Sequence, residues 1–212
     1  MISLAYVAPW LGVLLLGAYH GANPGMGWLF AVARGMQERS RRALLLSLLP
    51  IAFGHEAAVL LVLVAVSLLE PFAGLRWLKL GAALVLVAFA AILLVRRRLH
   101  PTGFGMRMGP LRLGWWSFLM SSAHGAGLML APLFLGIAAT APGPALPEIG
   151  GPLGLAALAA TLHVVGLVLV MGGMALTVYE RLGVSLLRRA WVNLDLIWSV
   201  ALLGAGGIAL FT

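Results

Sequence analysis

The chain contains no cysteine and very little charge: six acidic and fourteen basic residues among 212. Without cysteine there are no disulfides, thiolate metal sites or thiol relays, and any metal must be held by nitrogen and oxygen donors. Charged residues make up 9% of the chain, against about 25% in an ordinary soluble domain. Hydrocarbon takes their place. Hydrophobic residues reach 62%, in runs longer than the roughly 18 apolar residues that cross a bilayer as a helix. The composition therefore predicts an all-α integral membrane protein, one transmembrane domain over residues 1–212 with no room for a separate soluble domain. A net charge of +8 would suggest nucleic acid in a soluble protein. Here nearly all the basic residues lie in three inter-helix loops, so the expected partner is the bilayer and no nucleic acid is expected. No serine–histidine–acid triad or other catalytic motif stands out, and a transporter is expected before an enzyme.

The apolar runs fall at about 4–32, 43–69, 75–95, 114–139, 152–179 and 190–211, predicting six transmembrane helices. The start, MISLAYVAPW, lacks the basic region of a secretory signal, so the first run reads as a retained helix. Twelve of the fourteen basic residues fall in the first, third and fifth loops: Arg34, Arg39, Arg41, Arg42; Arg96, Arg97, Arg98, Arg107, Arg112; and Arg181, Arg188, Arg189. Only Arg76 and Lys79 lie at the other face. Cytoplasmic loops carry the Arg and Lys excess, so both termini are expected outside a bacterial inner (cytoplasmic) membrane.

Four of the five histidines sit inside these apolar runs, in two matched pairs: His20 with His55, and His124 with His163. His-Gly-Ala occurs at 20–22 and again at 124–126, and the spacings within the pairs are 35 and 39 residues. With three spans per half, the second half enters from the opposite side. The duplication then implies a 3+3 inverted repeat, repeat 1 at about 1–99 and repeat 2 at about 112–212, an architecture common among secondary transporters with a midplane site. Leu78-Lys79-Leu80 and Leu194-Asp195-Leu196 open the third and sixth spans in a weaker echo of it.

Ionisable residues in hydrocarbon are costly and mark candidate sites. Gly21-Ala22-Asn23-Pro24-Gly25 interrupts the first span, because proline removes a donor and clashes with the preceding turn. Carbonyls freed there need a partner that lipid cannot supply. His20, Asn23, His55, Glu56, His124 and His163 are the candidate metal- or substrate-binding residues, with Asn23 alternatively only a cap. Glu56 is the one acidic residue deep in a span, suited to neutralise a cation, move a proton or orient an imidazole, or simply to bond a neighbouring helix. Ser121 and Ser122, one turn before His124, are discounted because serines in helices often bond their own backbone. His163, with only Thr161 close by, has the poorest polar surroundings, and His100 lies among loop arginines. Gly17, Gly21 and Gly25 at intervals of four suit close helix packing, inside the bundle or in a homodimer.

The break after His20, the Gly-His at 54–55 and SSAHGAGLMLAP at 121–132 resemble the nickel/cobalt transporter superfamily, related to the LysE-type transporters with three-plus-three repeats. The resemblance implies a transport fold, with His20, Asn23, His55 and His124 as contacts. That family's first-helix signature follows its histidine, after four residues, with Asp-His. This chain has Gly25-Met26 there. The expectation is a small transporter or exporter, its substrate a transition-metal cation, with no cofactor required. A haem-binding electron carrier, using histidine pairs as axial ligands, and a membrane enzyme or assembly factor are the alternatives.

Overall fold

The computed structural model describes residues 4–95, 108–140, 151–182 and 200–207. The third loop from Arg96 to Arg107 with His100, the Pro/Gly stretch before 151, Arg188 and Arg189 of the fifth loop, and most of the sixth apolar segment with Asp195 lie outside the described residues. Among the described residues the protein is all helical. Its elements are α1 (Leu4–Ala22), a 3-10 turn (Pro24–Met26), α2 (Trp28–Gln37), α3 (Arg41–Ala73) and α4 (Leu75–Val95). They continue with α5 (Pro110–Ala123), α6 (Ala126–Thr140), α7 (Gly151–Thr177) ending in a π turn (Val178–Leu182), and α8 at 200–207. Two of these, α3 and α7, are long and apolar enough to cross a membrane. Joined across their break, α5 and α6 would make a third, bent by 64°. Phe53 (77% exposed), Phe72 (89%) and Leu169 (69%) turn outward. In water such an outer surface would be an association hazard; in lipid it is the expected one.

Both interruptions follow a His-Gly or His-Gly-like sequence, and each has a local chemical cause. At the first, Asn23 is extended, as the residue before a proline must be, and its side chain accepts a hydrogen bond from the Gly25 N–H at 2.9 Å. Gly27 then takes a left-handed φ of 113°, and α2 starts. The Ala22 carbonyl freed by the break accepts from the Trp28 indole N–H at 3.3 Å. At the second, α5 stops at His124 and Gly125 adopts φ 67°, a conformation strained for any residue with a Cβ.

Two helix pairs form the centre of the bundle, and in each the helices run in the same direction. In α1/α7, Gly17 lies against the His163 carbonyl and Gly21 against that of Leu167. In α3/α5, the Ser117 hydroxyl donates to the Ile51 carbonyl at 2.7 Å and Ser121 meets His55 one turn further along both helices, with Gly54 against the Gly114 carbonyl. Small residues let helix backbones approach until dispersion contacts are made along their length. Gly17 and Gly21 are thus spent inside the bundle.

Beside a smaller cluster of Met26, Leu86, Ala90, Met129 and Leu202, two apolar clusters fill the core. One gathers Trp28, Val32, Leu44, Leu48, Leu113, Trp116 and Met171. The other gathers Val13, Val59, Leu63, Leu130, Phe134 and Leu155. His55 lies between Ile51 of the first and Val59 of the second, and His163 between Leu167 and Ala160. The polar centre is therefore closed by hydrocarbon toward both ends.

Candidate metal centre

The close approach of α1 to α7 brings His20, one turn beyond Gly17, to His163. The Nδ1 of His20 lies 3.2 Å from the Nε2 of His163. That same Nε2 lies 3.2 Å from the Nε2 of His55. All three side chains are 0% exposed, and one nitrogen from each lies within 4.8 Å of the other two. The His55 and His163 rings stack, with centroids 5.4 Å apart and planes 11° from parallel, while His20 meets His163 edge-on.

Ligand geometry tests this arrangement. A tetrahedral ion with metal–nitrogen bonds of about 2.0–2.1 Å holds its ligand nitrogens roughly 3.3 Å apart. Two of the three nitrogen pairs are at 3.2 Å, close to that spacing, and the third lies within 4.8 Å, so a modest approach of His20 and His55 would complete a three-nitrogen face.

The outer nitrogen of His55 is placed to support ligation. The Nδ1 of His55 is 2.7 Å from the Ser121 hydroxyl on α5. If that nitrogen carries the proton and donates to the hydroxyl, the Nε2 lone pair points into the centre. Liganding imidazoles are commonly held in this way through their second nitrogen. His163 lies beside the Val13 backbone of α1, and its buried Nδ1 makes no full hydrogen bond among the described residues.

The structure brings together His20, His55 and His163 of the six candidates; Asn23, Glu56 and His124 are not in the convergent set. Asn23 is buried, and its side-chain oxygen caps the 3-10 turn. Glu56 follows His55 on a continuous helix, so its side chain leaves the axis about 100° away. Its two oxygens are shielded from solvent and have no hydrogen-bond partner among the described residues. His124 is buried, and its Nδ1 lies 2.7 Å from the Met120 carbonyl of its own helix. The ranking of the histidines changes. His163, with the poorest polar neighbours in the sequence, is the hub, because its partners arrive from α1 and α3. Ser121, discounted as a backbone binder, holds His55.

Comparison with family models, curated proteins and solved structures finds no match.

Proposed function

We propose that this chain is a membrane carrier for a transition-metal cation, bound by His20, His55 and His163 on a scaffold of six spans in two inverted three-span repeats. The observation that carries the proposal is the convergence of three buried imidazole nitrogens within 4.8 Å. Neutral nitrogen donors without thiolate suit zinc, cobalt and nickel, and the resemblance to nickel/cobalt transporters points the same way. Three imidazoles leave a fourth position on a tetrahedral ion for water or another ligand. The apolar clusters above and below correspond to a carrier closed toward both sides.

The helix directions support the scaffold. In six alternating spans, the first and fifth run alike, as α1 and α7 do, and the second and fourth run alike, as α3 and α5 do. Exchanging the repeats converts the α1/α7 pair into α5/α3. The charges agree. Arg41 pairs with Glu180 at 3.3 Å, joining the start of α3 to the end of α7, whereas Arg76 and Lys79 follow the far end of α3, roughly 50 Å away along a helix of 33 residues at 1.5 Å each. With the arginine-rich end cytoplasmic, both termini lie outside. Haem is disfavoured by the packing, because imidazole centroids 5.1–5.4 Å apart leave no slot for a macrocycle between them.

Titration of the purified chain with Co²⁺, Ni²⁺ and Zn²⁺, followed by flux measurements in proteoliposomes, tests the function. Tight binding of at least one ion is expected, and its loss in His163→Ala. Absence of binding to all three, or undiminished binding in His163→Ala, would overturn it.

A further inference from the structure

The site as it stands uses one of the two His-Gly-Ala histidines. Equivalent positions in the two halves are 104 residues apart around His20 and His124, and 108 apart for His55 and His163. The contacts follow the same correspondence. Gly17, three residues before His20, lies on the backbone of His163. Ser121, three residues before His124, touches the ring of His55 at 2.7 Å. His55 and His163 are therefore the exchanged pair at the centre; His20 meets it from one half, and His124 is the corresponding residue of the other. His20 and His124 are both buried, and each stands just before a break, which ends at a left-handed Gly27 in one half and at a left-handed Gly125 in the other.

His124 is also prepared for ligation. A carbonyl oxygen only accepts, so the 2.7 Å contact with Met120 puts a proton on Nδ1. A backbone carbonyl holding the second nitrogen in this manner is a usual partner of a metal-bound imidazole. His124 is moreover within electrostatic range of His20.

We propose that His55 and His163 remain with the transported cation throughout, while His20 and His124 alternate as its third ligand, one in each orientation of the carrier. The structure shows the His20 side engaged. Movement about the Gly125 hinge, with withdrawal of α1, would pass the cation to the equivalent set of His124, His55 and His163. Inverted repeats provide two such arrangements of similar energy from one sequence, and no covalent step is needed. The proposal rests on the carrier function above.

Co²⁺ is the probe, because its visible absorption reports both occupancy and coordination. In the full-length chain, His124→Ala is expected to bind Co²⁺ as the wild type does and to lose transport in proteoliposomes. His20→Ala is expected to retain Co²⁺ with an altered spectrum, carried by His124. The double variant should bind more weakly than His20→Ala by on the order of 100-fold or more. Wild-type flux in His124→Ala, or equal Co²⁺ affinity in His20→Ala and the double variant, would overturn the alternation and leave the carrier function standing. Loss of all binding in His20→Ala with a wild-type elution profile would also overturn it. Failure of the wild type to bind Co²⁺, Ni²⁺ or Zn²⁺ would instead remove the carrier function itself. Should the double variant not fold, the flux of His124→Ala decides alone, since its retained Co²⁺ binding reports an intact site.

Discussion

Replacing Gly17 by alanine is the most direct perturbation of the metal centre that touches none of its ligands. A Cβ at this position would collide with the His163 carbonyl oxygen and lie 3.0 Å from its carbon and 3.2 Å from its Cα. These are backbone atoms of a long helix, so no rotamer change relieves the clash. Helix α1 must move away from α7 by on the order of 1 Å, and overpacking of this kind costs about 1–3 kcal/mol. His20 is on the same face one turn later and moves with the helix. Metal sites tolerate distance errors of about 0.2 Å, so the displacement exceeds the tolerance several-fold and removes His20 from the convergent set. Gly17→Ala is therefore expected to show the altered Co²⁺ spectrum of His20→Ala, while the membrane-inserted fold survives with a lowered melting temperature. Gly81→Ala and Gly173→Ala are the controls, because nothing lies within 4 Å of a Cβ at either position. Both should be neutral or gain slightly from helix propensity, about 1 kcal/mol at most. The measurements are Co²⁺ absorption and thermal unfolding in detergent. A wild-type Co²⁺ spectrum in Gly17→Ala would refute the argument that backbone contact between α1 and α7 sets the ligand spacing.

Further outcomes follow from the same geometry. Ser121→Ala should lower Co²⁺ affinity by about 10- to 100-fold, the usual cost of losing the support of a liganding imidazole, and Ser121→Thr should restore most of it; equal affinity in all three proteins would show that His55 needs no such support. Binding should release protons and weaken as the pH falls, because only neutral imidazole ligates; an unchanged affinity between neutral and acidic pH would count against an all-histidine site. Gly125→Ala places a Cβ at φ 67° and should slow flux far more than it affects Co²⁺ binding, with equal flux arguing that this break does not move. Single cysteines in this cysteine-free chain should react with an impermeant reagent from outside near Met1 and Pro144 but not at Arg41 or Arg97, and the reverse pattern would invert the orientation.

What the sequence made legible was local. Hydrocarbon runs marked the helices, and Pro24 and the glycines near His20 and His124 marked the breaks, because helix formation and interruption depend on residues within a turn or two. The composition of the centre was not local. His163 was the poorest candidate by its neighbours, yet its contacts lie 143 and 108 residues away along the chain. Periodicity does not tell which face of one apolar helix meets which face of another when lipid and core are both hydrocarbon. Two candidates, Asn23 and Glu56, were identified by polarity alone. The side-chain oxygen of the first caps the break, and the second emerges from a different side of α3 from His55.

Ser121 shows how a sound rule can miss a functional contact, and which signal would have corrected it. Hydroxyls in helices usually bond the carbonyl four residues back, as Ser47, Ser67, Thr161 and Thr177 do here. Ser117 and Ser121 instead reach across to α3, the one to the Ile51 carbonyl and the other to His55. Gly114, Ser117 and Ser121 are three and four residues apart, which places them on one side of α5. A column of small residues at that spacing is where a second helix comes closest, so hydroxyls within it face a neighbour rather than lipid. Gly54, next to His55, meets Gly114 in this column. The serine that meets the His55 ring and the glycine that admits its helix are thus parts of one contact, and substitution of either should disturb the same imidazole.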